Sequence, residues 1–422
     1  MITSSHAAGT ETSSRERAGP LAGVRVLDLS RVMAGPTCTQ VLADLGAEVI
    51  KIERPGLGDD TRQWGPPWLR DRSGTESAES SYYLSANRGK HSVTVDLKRE
   101  RGQQIVHELA AVSDICIENF KVGALAELGL GYDDLRADNP AIIYVSITGF
   151  GQSGPLAQQP GYDYLAQAMG GMMSLNGWPD DQPSGGPIRT GIAIADISTG
   201  LYATIGILAA LHHRNETGEG QFIDLALLDT QLAMLANQGM YYLVGGEPPA
   251  RSGAAHPSLA PYQPFDTADG SVIVAVGNDR QFAALCHHLG RPEMAEDPRY
   301  RTNPARNANR STLLDELETE FGRFSSAELL ATLPAAGVPA AAVNDVAEAF
   351  AEPQARHRQR RIDVPHALGS APGIANPLHF SQTPIDYPKG PPLLGEDTDR
   401  VLTEVLGFDP ETIEQLRADG TL

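Results

Sequence analysis

The stretch that decides the fold is Leu21–Glu53, LAGVRVLDLSRVMAGPTCTQVLADLGAEVIKIE. Its apolar residues form a short β-branched run over Gly23–Ser30, then a helical pattern over Pro36–Gly46, which a glycine closes. A second strand pattern follows over Glu48–Glu53. A strand, a helix and a strand in this order predict two parallel strands joined by a crossover helix.

The same alternation continues along the chain. Strand patterns occur at Ser92–Leu97, Asp114–Glu118 and Ile142–Thr148, and a helical pattern covers Gly102–Ser113. Ile223–Gln231 again indicates a strand followed by a helix. Because strands that alternate with helices form mostly parallel sheets covered on both faces, we predict an α/β fold with a Rossmann-like large domain.

The texture of the sequence divides the chain into four parts. Residues 1–19 are rich in Ser, Thr and Ala and lack an apolar signal core, which predicts a disordered tail. Residues 20–245 are assigned to the large domain. Residues 246–345, with more Pro, Gly, Ala and Ser, form a predicted smaller domain, and residues 346–422 a C-terminal segment that returns to the large domain.

Composition limits the kinds of partner. The formal net charge of -20 argues against nucleic acid and anionic membranes. Asp196 interrupts the longest apolar run, Gly191–Leu211, so we expect no membrane span. The three scattered cysteines, Cys38, Cys116 and Cys286, give no disulfide framework and no metal spacing. We therefore expect buried thiols, no metal site and a cytoplasmic protein.

Cationic or amide side chains follow several predicted strands. Ligands of open α/β sheets bind beyond the carboxyl ends of the strands, and Arg and Lys suit phosphate groups. A long phosphorylated ligand along this edge is one interpretation, and ordinary solvated loop ends are the other. The residues concerned are Arg31, Arg54, Lys98, Asn119, Lys121 and the glycine-rich loop Gly149–Gly154. A nicotinamide enzyme is disfavoured, because RVMAGP stands where a dinucleotide-binding glycine signature would lie.

Asp196 is the candidate nucleophile. It lies in GIAIADISTG, Gly191–Gly200, which indicates an apolar strand before a helix over Gly200–His213. Desolvation would raise the pKa of the carboxyl and helix-end amides would lower it. An ionised carboxylate can attack a thioester carbonyl, whereas the structural alternative is an aspartate that caps the following helix. A loop histidine, His256, either lines a cleft or forms local hydrogen bonds.

Taken in order, a series of stretches resembles the family III CoA-transferases, which include formyl-CoA and carnitine CoA-transferases. These stretches are Leu21–Glu53, Asn87–Lys98, Glu118–Phe120, Gly149–Pro155, Pro160–Asp163, Ala195–Tyr202, Thr217–Asp224 and Pro391–Thr398. The resemblance implies an interlocked, ring-shaped homodimer with active sites between the two chains. It also implies acyl-CoA and a carboxylic acid as substrates, with no permanently bound cofactor.

The resemblance also assigns residues. The family's nucleophilic aspartate falls on Asp196, which implies transfer through an aspartyl anhydride and an aspartyl-CoA thioester. Implied CoA contacts are Val32, Met33, Ala34, Arg54, Val95, Lys98, Asn119, Phe120, Lys121, Tyr162 and Asp163. Residues expected around the acyl substrate are Arg31, Arg88, Tyr162 and His256, with the two arginines as candidates for binding a second carboxylate.

Some positions depart from family patterns. Met33 stands where formyl-CoA transferase has glutamine, and no glycine-rich lid is visible near Gly253, which disfavours formate and oxalate. Glu127 stands where the family often has an arginine that contacts CoA. Tyr162 replaces the histidine of α-methylacyl-CoA racemases, which favours transfer over racemisation.

Other stretches, including SYYLSANRGK at Ser81–Lys90, resemble the succinate–hydroxymethylglutarate CoA-transferase group. A dicarboxyl-CoA such as succinyl-CoA is therefore the expected donor. Two alternatives stay open. One is a racemase-like or dehydratase-associated CoA-dependent protein on the same fold, and the other is a CoA-binding protein without catalysis.

Overall fold

The computed structural model describes residues 19–422, in which strands and helices alternate over the first half of the chain. In chain order the strands are β1 (Arg25–Asp28), β2 (Glu48–Glu53), β3 (Trp68–Arg70), β4 (Glu76–Ser80), β5 (Lys90–Thr94), β6 (Ile115–Glu118), β7 (Ile143–Thr148), β8 (Phe222–Ala226), β9 (Tyr262–Asp266), β10 (Ser271–Ala275), β11 (Ala340–Ala341), β12 (Arg361–His366) and β13 (Gly369–Ile374).

The α-helices are α1 (Ala34–Asp44), α2 (Ser81–Ala86), α3 (Glu100–Ala111), α4 (Tyr132–Asp138), α5 (Asp163–Met169), α6 (Met172–Leu175), α7 (Ile194–Thr217), α8 (Leu227–Met234), α9 (Ala236–Gly245), α10 (Asp279–His288), α11 (Pro292–Glu296), α12 (Asn303–Ala308), α13 (Arg310–Phe321), α14 (Ser326–Thr332), α15 (Val346–Ala351), α16 (Pro353–His357), α17 (Thr398–Glu404) and α18 (Pro410–Ala418). Short 3-10 helices occupy Asp60–Gln63 and Ala126–Leu128.

Six strands form one sheet in the order β5-β2-β1-β6-β7-β8, and every neighbouring pair is parallel. The chain moves outward from β1 to β2 and β5, then crosses back to β6 on the other side of β1. The predicted α/β class and its Rossmann-like parallel sheet are confirmed. Because the strand order reverses between β1 and β6, a ligand is expected to bind beyond the carboxyl ends of these two strands.

Both faces of this sheet are buried. Successive strand residues point to opposite sides, so one strand contributes side chains to two separate cores. Val26 of β1 belongs to a core shared with α1 and α7. The next residue, Leu27, belongs to a second core that includes Ile105 of α3, Val401 of α17 and Ile413 of α18. All three cysteines are buried free thiols, as the sequence predicted.

The C-terminal residues are tied to the sheet by hydrogen bonds. Both Asp397 oxygens face β5, where Oδ2 accepts from the backbone N–H of Ser92 at 3.1 Å. A guanidinium nitrogen of Arg62 donates to the carbonyl of Pro392 at 3.2 Å. The N–H of Asp96 donates to the carbonyl of Thr421 at 2.8 Å. Loops that follow β2 and β5 are thus fixed by residues about 300 positions later in the sequence.

The chain divides into two compact units. The first comprises residues 19–167, Ile192–Met234 and Gln359–Leu422. The second comprises Ala168–Gly191 and Leu235–Arg358, and contains the antiparallel sheet β11-β10-β9 beside a core of its own. The second unit therefore extends beyond residues 246–345 on both sides. Residues 1–18, most of the predicted disordered tail, lie outside the described residues.

Several element boundaries differ from the sequence-based expectation. Helix α7 begins at Ile194, not near Gly200, and the expected strand before it is not formed within residues 191–193. Of the described residues, α7 is also the one helix whose length and apolar composition would suffice to cross a membrane, and half of its most apolar window is buried within the fold. The sequence analysis took Asp196 as an interruption of the apolar run, but the helix reaches this length and apolar composition with Asp196 included.

Candidate active site

A cavity of about 660 Å³ lies beyond the carboxyl ends of β1, β6 and β7. Its wall brings together loops that follow three neighbouring strands, as expected at the point where the strand order reverses. Asp196 is in this wall with most of the residues predicted from the strand ends. The lining residues that matter for chemistry are Arg31, Val32, Met33, Ala34, Asp60, Trp64, Asn119, Phe120, Lys121, Tyr162, Asp163 and Asp196.

A second cavity of about 200 Å³ shares Arg31 and Phe120 with the first. It lies beyond β2 and β5, and its wall contains Arg54, Val95 and Lys98. Its remaining lining is largely apolar and includes leucines from several loops. Two neighbouring cavities, one with a carboxylate and one with cations beside apolar walls, suit an elongated ligand with an anionic part.

Asp196 lies in the first turn of α7, at the third helical position. The residue at the N-cap is Ala193, which has no side-chain oxygen to offer. The interpretation of Asp196 as the cap of this helix is therefore wrong. Burial, followed by the nearby charge of Asp163, raises the pKa of the Asp196 carboxyl to about 7. Desolvation thus outweighs the lowering effect that helix-end amides would have.

Glycines allow the close approach of the elements around Asp196. A Cβ added to Gly200, one turn after Asp196, would lie 2.6 Å from the carbonyl oxygen of Ala34. Only glycine therefore lets the start of α7 rest on the start of α1. A Cβ on Gly161 would likewise lie 2.1 Å from Cα of Gly149, so these two loops touch backbone to backbone.

The loop after β1 has a strained conformation at the cavity wall. Val32 has φ = 70°, a left-handed value that is costly for a β-branched residue. Its N–H donates to both Asp59 oxygens, at 3.2 and 3.3 Å. Lys51 Nζ lies 3.0 Å from Asp59 Oδ2, and both of these side chains are fully buried. A buried ion pair thus holds the strained turn in place.

Arg31 connects the loops after β1 and β6. Its backbone N–H donates to Asn119 Oδ1 at 2.8 Å, and Asn119 Nδ2 donates to its carbonyl at 2.7 Å. The guanidinium lies 5.2 Å from the centre of the Phe120 ring and donates through Nη1 to Asp60 at 3.0 Å. Its Nε is buried without a hydrogen-bond partner within residues 19–422. The Arg31 side chain as a whole is 43% exposed in the cavity wall, so its guanidinium can meet an anion there.

The predicted site residues fall into three groups: those that line the first cavity, those that line the second, and those that line neither. Eight of the predicted CoA contacts lie with Asp196 around the first cavity, and Arg54, Val95 and Lys98 lie around the second. Phe120 lines both. Glu127 is exposed and lines neither.

Arg88 and His256 were expected near the substrate. Arg88 is buried and lines neither cavity, and its guanidinium donates to both Asp44 oxygens at 2.8 and 2.6 Å. The structure corrects the substrate role of Arg88, because its donors are committed to a buried ion pair. His256 belongs to the second unit, and its Nδ1 accepts from the N–H of Ser258 at 3.0 Å and of Leu259 at 3.1 Å. Those contacts are the local hydrogen bonds named as its alternative.

Sequence reasoning missed an aromatic and acidic rim. Trp64 lines the first cavity and packs edge-to-face on Tyr82 at 4.9 Å. Burial, and then the charge of Asp196, raise the pKa of the Tyr82 hydroxyl, so the Tyr82 ring lies near Asp196. Glu118 is buried, and its Oε2 accepts a hydrogen bond from the N–H of Phe120 at 2.6 Å. Burial raises the pKa of the Glu118 carboxyl to about 7. Tyr82 lies in SYYLSANRGK, the stretch that carried the resemblance, but nothing local in the sequence indicated that its ring would lie near Asp196.

Comparison with known proteins identifies the class of enzyme. The family model described as CoA-transferase family III matches residues 21–398. The succinate–glutarate CoA-transferase of Agrobacterium fabrum is 47% identical over 405 residues, covering 96% of this chain and 99% of that protein. The succinyl-CoA:glutarate CoA-transferase of Mus musculus is 45% identical, covering 96% of this chain and 90% of that protein.

A solved structure agrees with these relatives. The crystal structure of a CAIB/BAIF family protein from Brucella suis superposes with a TM-score of 0.82 and 46% identity, covering 92% of this chain and all of that one. The chain belongs to CoA-transferase family III. It is an enzyme of that family, an acyl-CoA:carboxylate CoA-transferase, as its sequence motifs predicted.

Proposed function

We propose that this enzyme transfers CoA from succinyl-CoA to a dicarboxylic acid of about the size of glutarate, with Asp196 as the covalent carrier. The observation that carries the proposal is the position of Asp196, in the wall of a cavity that also carries Arg31 and Lys121. Similarity to relatives named for succinate and glutarate supports the substrate class.

The reaction begins when one Asp196 carboxylate oxygen attacks the thioester carbonyl of the donor. A C–O bond forms and the C–S bond breaks, so that CoA leaves as a thiolate and a mixed anhydride remains. The thiolate then attacks the side-chain carbonyl of Asp196. This step forms an aspartyl-CoA thioester and releases the donor acid as a carboxylate.

The second half repeats these two steps in reverse with the acceptor. The acceptor carboxylate attacks the aspartyl-CoA carbonyl and displaces the thiolate, which gives a new mixed anhydride. The thiolate attacks the acceptor carbonyl, forms the new acyl-CoA and returns Asp196 as a carboxylate. No proton or electron is gained or lost overall, because carboxylates and thiolates exchange places at each step.

The test is mass spectrometry of the protein after incubation with succinyl-CoA and no acceptor. We expect a CoA adduct on the peptide that contains Asp196, and loss of both adduct and transfer in Asp196→Asn. Asp133→Asn, which removes an exposed carboxylate on α4, is the matched control and keeps the adduct. Transfer at the native rate by Asp196→Asn would refute the role of Asp196.

The acceptor is identified with a panel of acids. Succinyl-CoA is supplied with glutarate, shorter and longer dicarboxylates and matched monocarboxylates, and new acyl-CoA species are separated by chromatography. We expect glutarate and its near neighbours to react fastest. Failure of all dicarboxylates, with transfer to monocarboxylates, would contradict the proposed substrate class.

The proposal includes a homodimer in the cytoplasm, in which two rings interlock. Apolar residues on the outer side of α7 support an association of copies, since Leu201, Ile205 and Leu208 are exposed at helical spacing. Tyr241 and Val244 of α9 are also exposed. Light scattering should give about twice the mass of one chain, and a monomer with full activity would contradict the dimer.

A further inference from the structure

The start of α7 depends on a side chain from another helix. Its N-cap residue, Ala193, forms no side-chain hydrogen bond, although the first N–H groups of a helix need acceptors. Asp163, the first residue of α5, fills this need. Its Oδ1 accepts from the N–H of Ala195 at 2.8 Å and from the N–H of Asp196 itself at 3.3 Å.

Asp163 is itself held from two sides. Gln167, one turn later in α5, donates through Nε2 to Asp163 Oδ2 at 2.7 Å. The preceding Gly161 touches the backbone of Gly149 at the end of β7, which fixes the loop that delivers Asp163. Both Asp163 oxygens therefore have protein donors. A CoA contact, the role that the family resemblance gave this residue, would have to compete with them.

We propose that Asp163 is a positioning residue for Asp196, one that closes the first turn of α7 and places a like charge beside the reacting carboxylate. This inference rests on the proposed function, in which Asp196 is the nucleophile. It adds a second carboxylate that touches the backbone of the nucleophile and does not itself react.

The charges around Asp196 explain why such a neighbour matters. Tyr82 faces it from α2, while the same cavity wall also carries Arg31, Lys121, Asp60 and Tyr162. Burial raises the pKa of Asp196 most, and the charge of Asp163 raises it further, to about 7. A carboxylate with a pKa near the working pH is more basic and still substantially ionised, a favourable balance for a nucleophile.

Two variants separate the charge of Asp163 from its capping role. Asp163→Asn keeps an Oδ1 that accepts from both N–H groups, and the Gln167 amide can turn to meet the new NH₂ group. Asp163→Ala removes charge and cap together. Asp133→Asn is the matched control, because it removes one charge from an exposed carboxylate on α4.

The experiment measures kcat against pH and, separately, the titration of Asp196 by infrared spectroscopy with ¹³C-labelled aspartate. The Asp196 signal is assigned by its loss in Asp196→Asn. In Asp163→Asn we expect the titration and the acid limb of kcat to move down by about one pH unit. We expect the rate at high pH to fall below that of the native enzyme, because the carboxylate becomes less basic. The two profiles should cross.

Asp163→Ala should lose activity at every pH and melt at a lower temperature, with no crossing. An Asp196 titration that is unchanged in Asp163→Asn would overturn the inference. Since the titration needs no turnover, it is judged apart from the proposed function. A shifted titration in a protein that forms no Asp196 adduct would leave the pairing intact and remove the nucleophile.

Discussion

Burial and the neighbouring carboxylate of Asp163 both raise the pKa of Asp196. Both favour the neutral form, and together they raise the pKa of this carboxyl to about 7. Attack on a thioester requires the ionised form. As the proposed nucleophile, Asp196 would be only partly ionised at neutral pH and fully ionised above it.

The native enzyme should show this titration in its rate. We expect kcat/KM to fall about tenfold for each pH unit below about 7, since the protonated fraction of Asp196 rises as pH falls. The pH dependence of kcat/KM for succinyl-CoA checks this when it is compared between the native enzyme and Asp163→Asn, because the titration of the substrate phosphate is common to both. A flat profile down to pH 5 would show that Asp196 titrates normally or does not react.

Arg31 should determine the preference for a second carboxylate. Arg31→Gln is expected to lower kcat/KM for dicarboxylate acceptors by about 10-fold or more, because a charge-assisted hydrogen bond is lost. Monocarboxylates of the same length should change little. Arg31→Lys, which keeps the charge, should recover part of the difference. Equal losses for both acid classes would instead indicate a structural role in the Asn119 contacts.

At the scale of elements, two loops cross so closely that their backbones touch. Gly161→Ala would bring a Cβ within 2.1 Å of Cα of Gly149. We expect the loop of Pro160–Asp163 to shift, which lowers kcat by about 10²-fold because small displacements of catalytic groups are costly. Steady-state kinetics and thermal melting check this. Gly245→Ala, where an added Cβ meets nothing within 4 Å, is the control and should behave as the native enzyme.

The turn after β1 should depend on its buried ion pair. Asp59→Asn removes the ion-pair partner of the buried Lys51 and leaves only the charges of Asp28 and Glu53 to stabilise it, so we expect the free energy of unfolding to fall by about 3 kcal/mol. Its neighbour Asp60 is about half exposed, and Asp60→Asn should cost under about 1 kcal/mol. Urea unfolding of both variants measures the difference. Similar losses in the two would mean that the Val32 turn does not depend on Asp59.

The elements also show what sequence patterns can and cannot predict. Glu48–Glu53 was predicted with its observed bounds, because β-branched and apolar residues define it locally. The next predicted strand, Ser92–Leu97, is observed over Lys90–Thr94, and it begins at a buried lysine that pairs with Asp28 at 3.3 Å. A charged residue gives no local sign that a distant partner will bury it. The start of α7 was missed for the same reason, since its cap comes from Asp163.

At the scale of the whole molecule, an acidic protein with a net charge of -20 must bind an anionic substrate. Few cations line its two cavities, and Arg31, Arg54, Lys98 and Lys121 among them follow the ends of strands. Position relative to the strands sufficed to predict that Arg31, Arg54, Lys98 and Lys121 lie at the cavities, while their contacts with CoA stay a prediction. Arg88 was expected at the substrate for a different reason, the need for a cation beside a second carboxylate, but it follows α2 and has its ion-pair partner on α1.

Cations of the second cavity should act on binding alone. In Arg54→Gln/Lys98→Gln we expect KM for acyl-CoA to rise about 10–100-fold with kcat nearly unchanged, because these residues lie away from Asp196 and bind ground and transition states equally. Arg99→Gln, adjacent in sequence but outside both cavities, is the control. A fall in kcat without a change in KM would contradict this division.

The bonds from Pro392, Asp397 and Thr421 to the loops beyond β2 and β5 have a consequence for how the enzyme is made. A ribosome delivers the strands early, yet residues that fix the second cavity emerge only after about 300 more have been added. A chain that ends before Pro392 would contain Asp196 but would lack these hydrogen bonds. We expect such a chain to bind acyl-CoA weakly, because the loops beyond β2 and β5 that line the second cavity lose the hydrogen bonds that hold them.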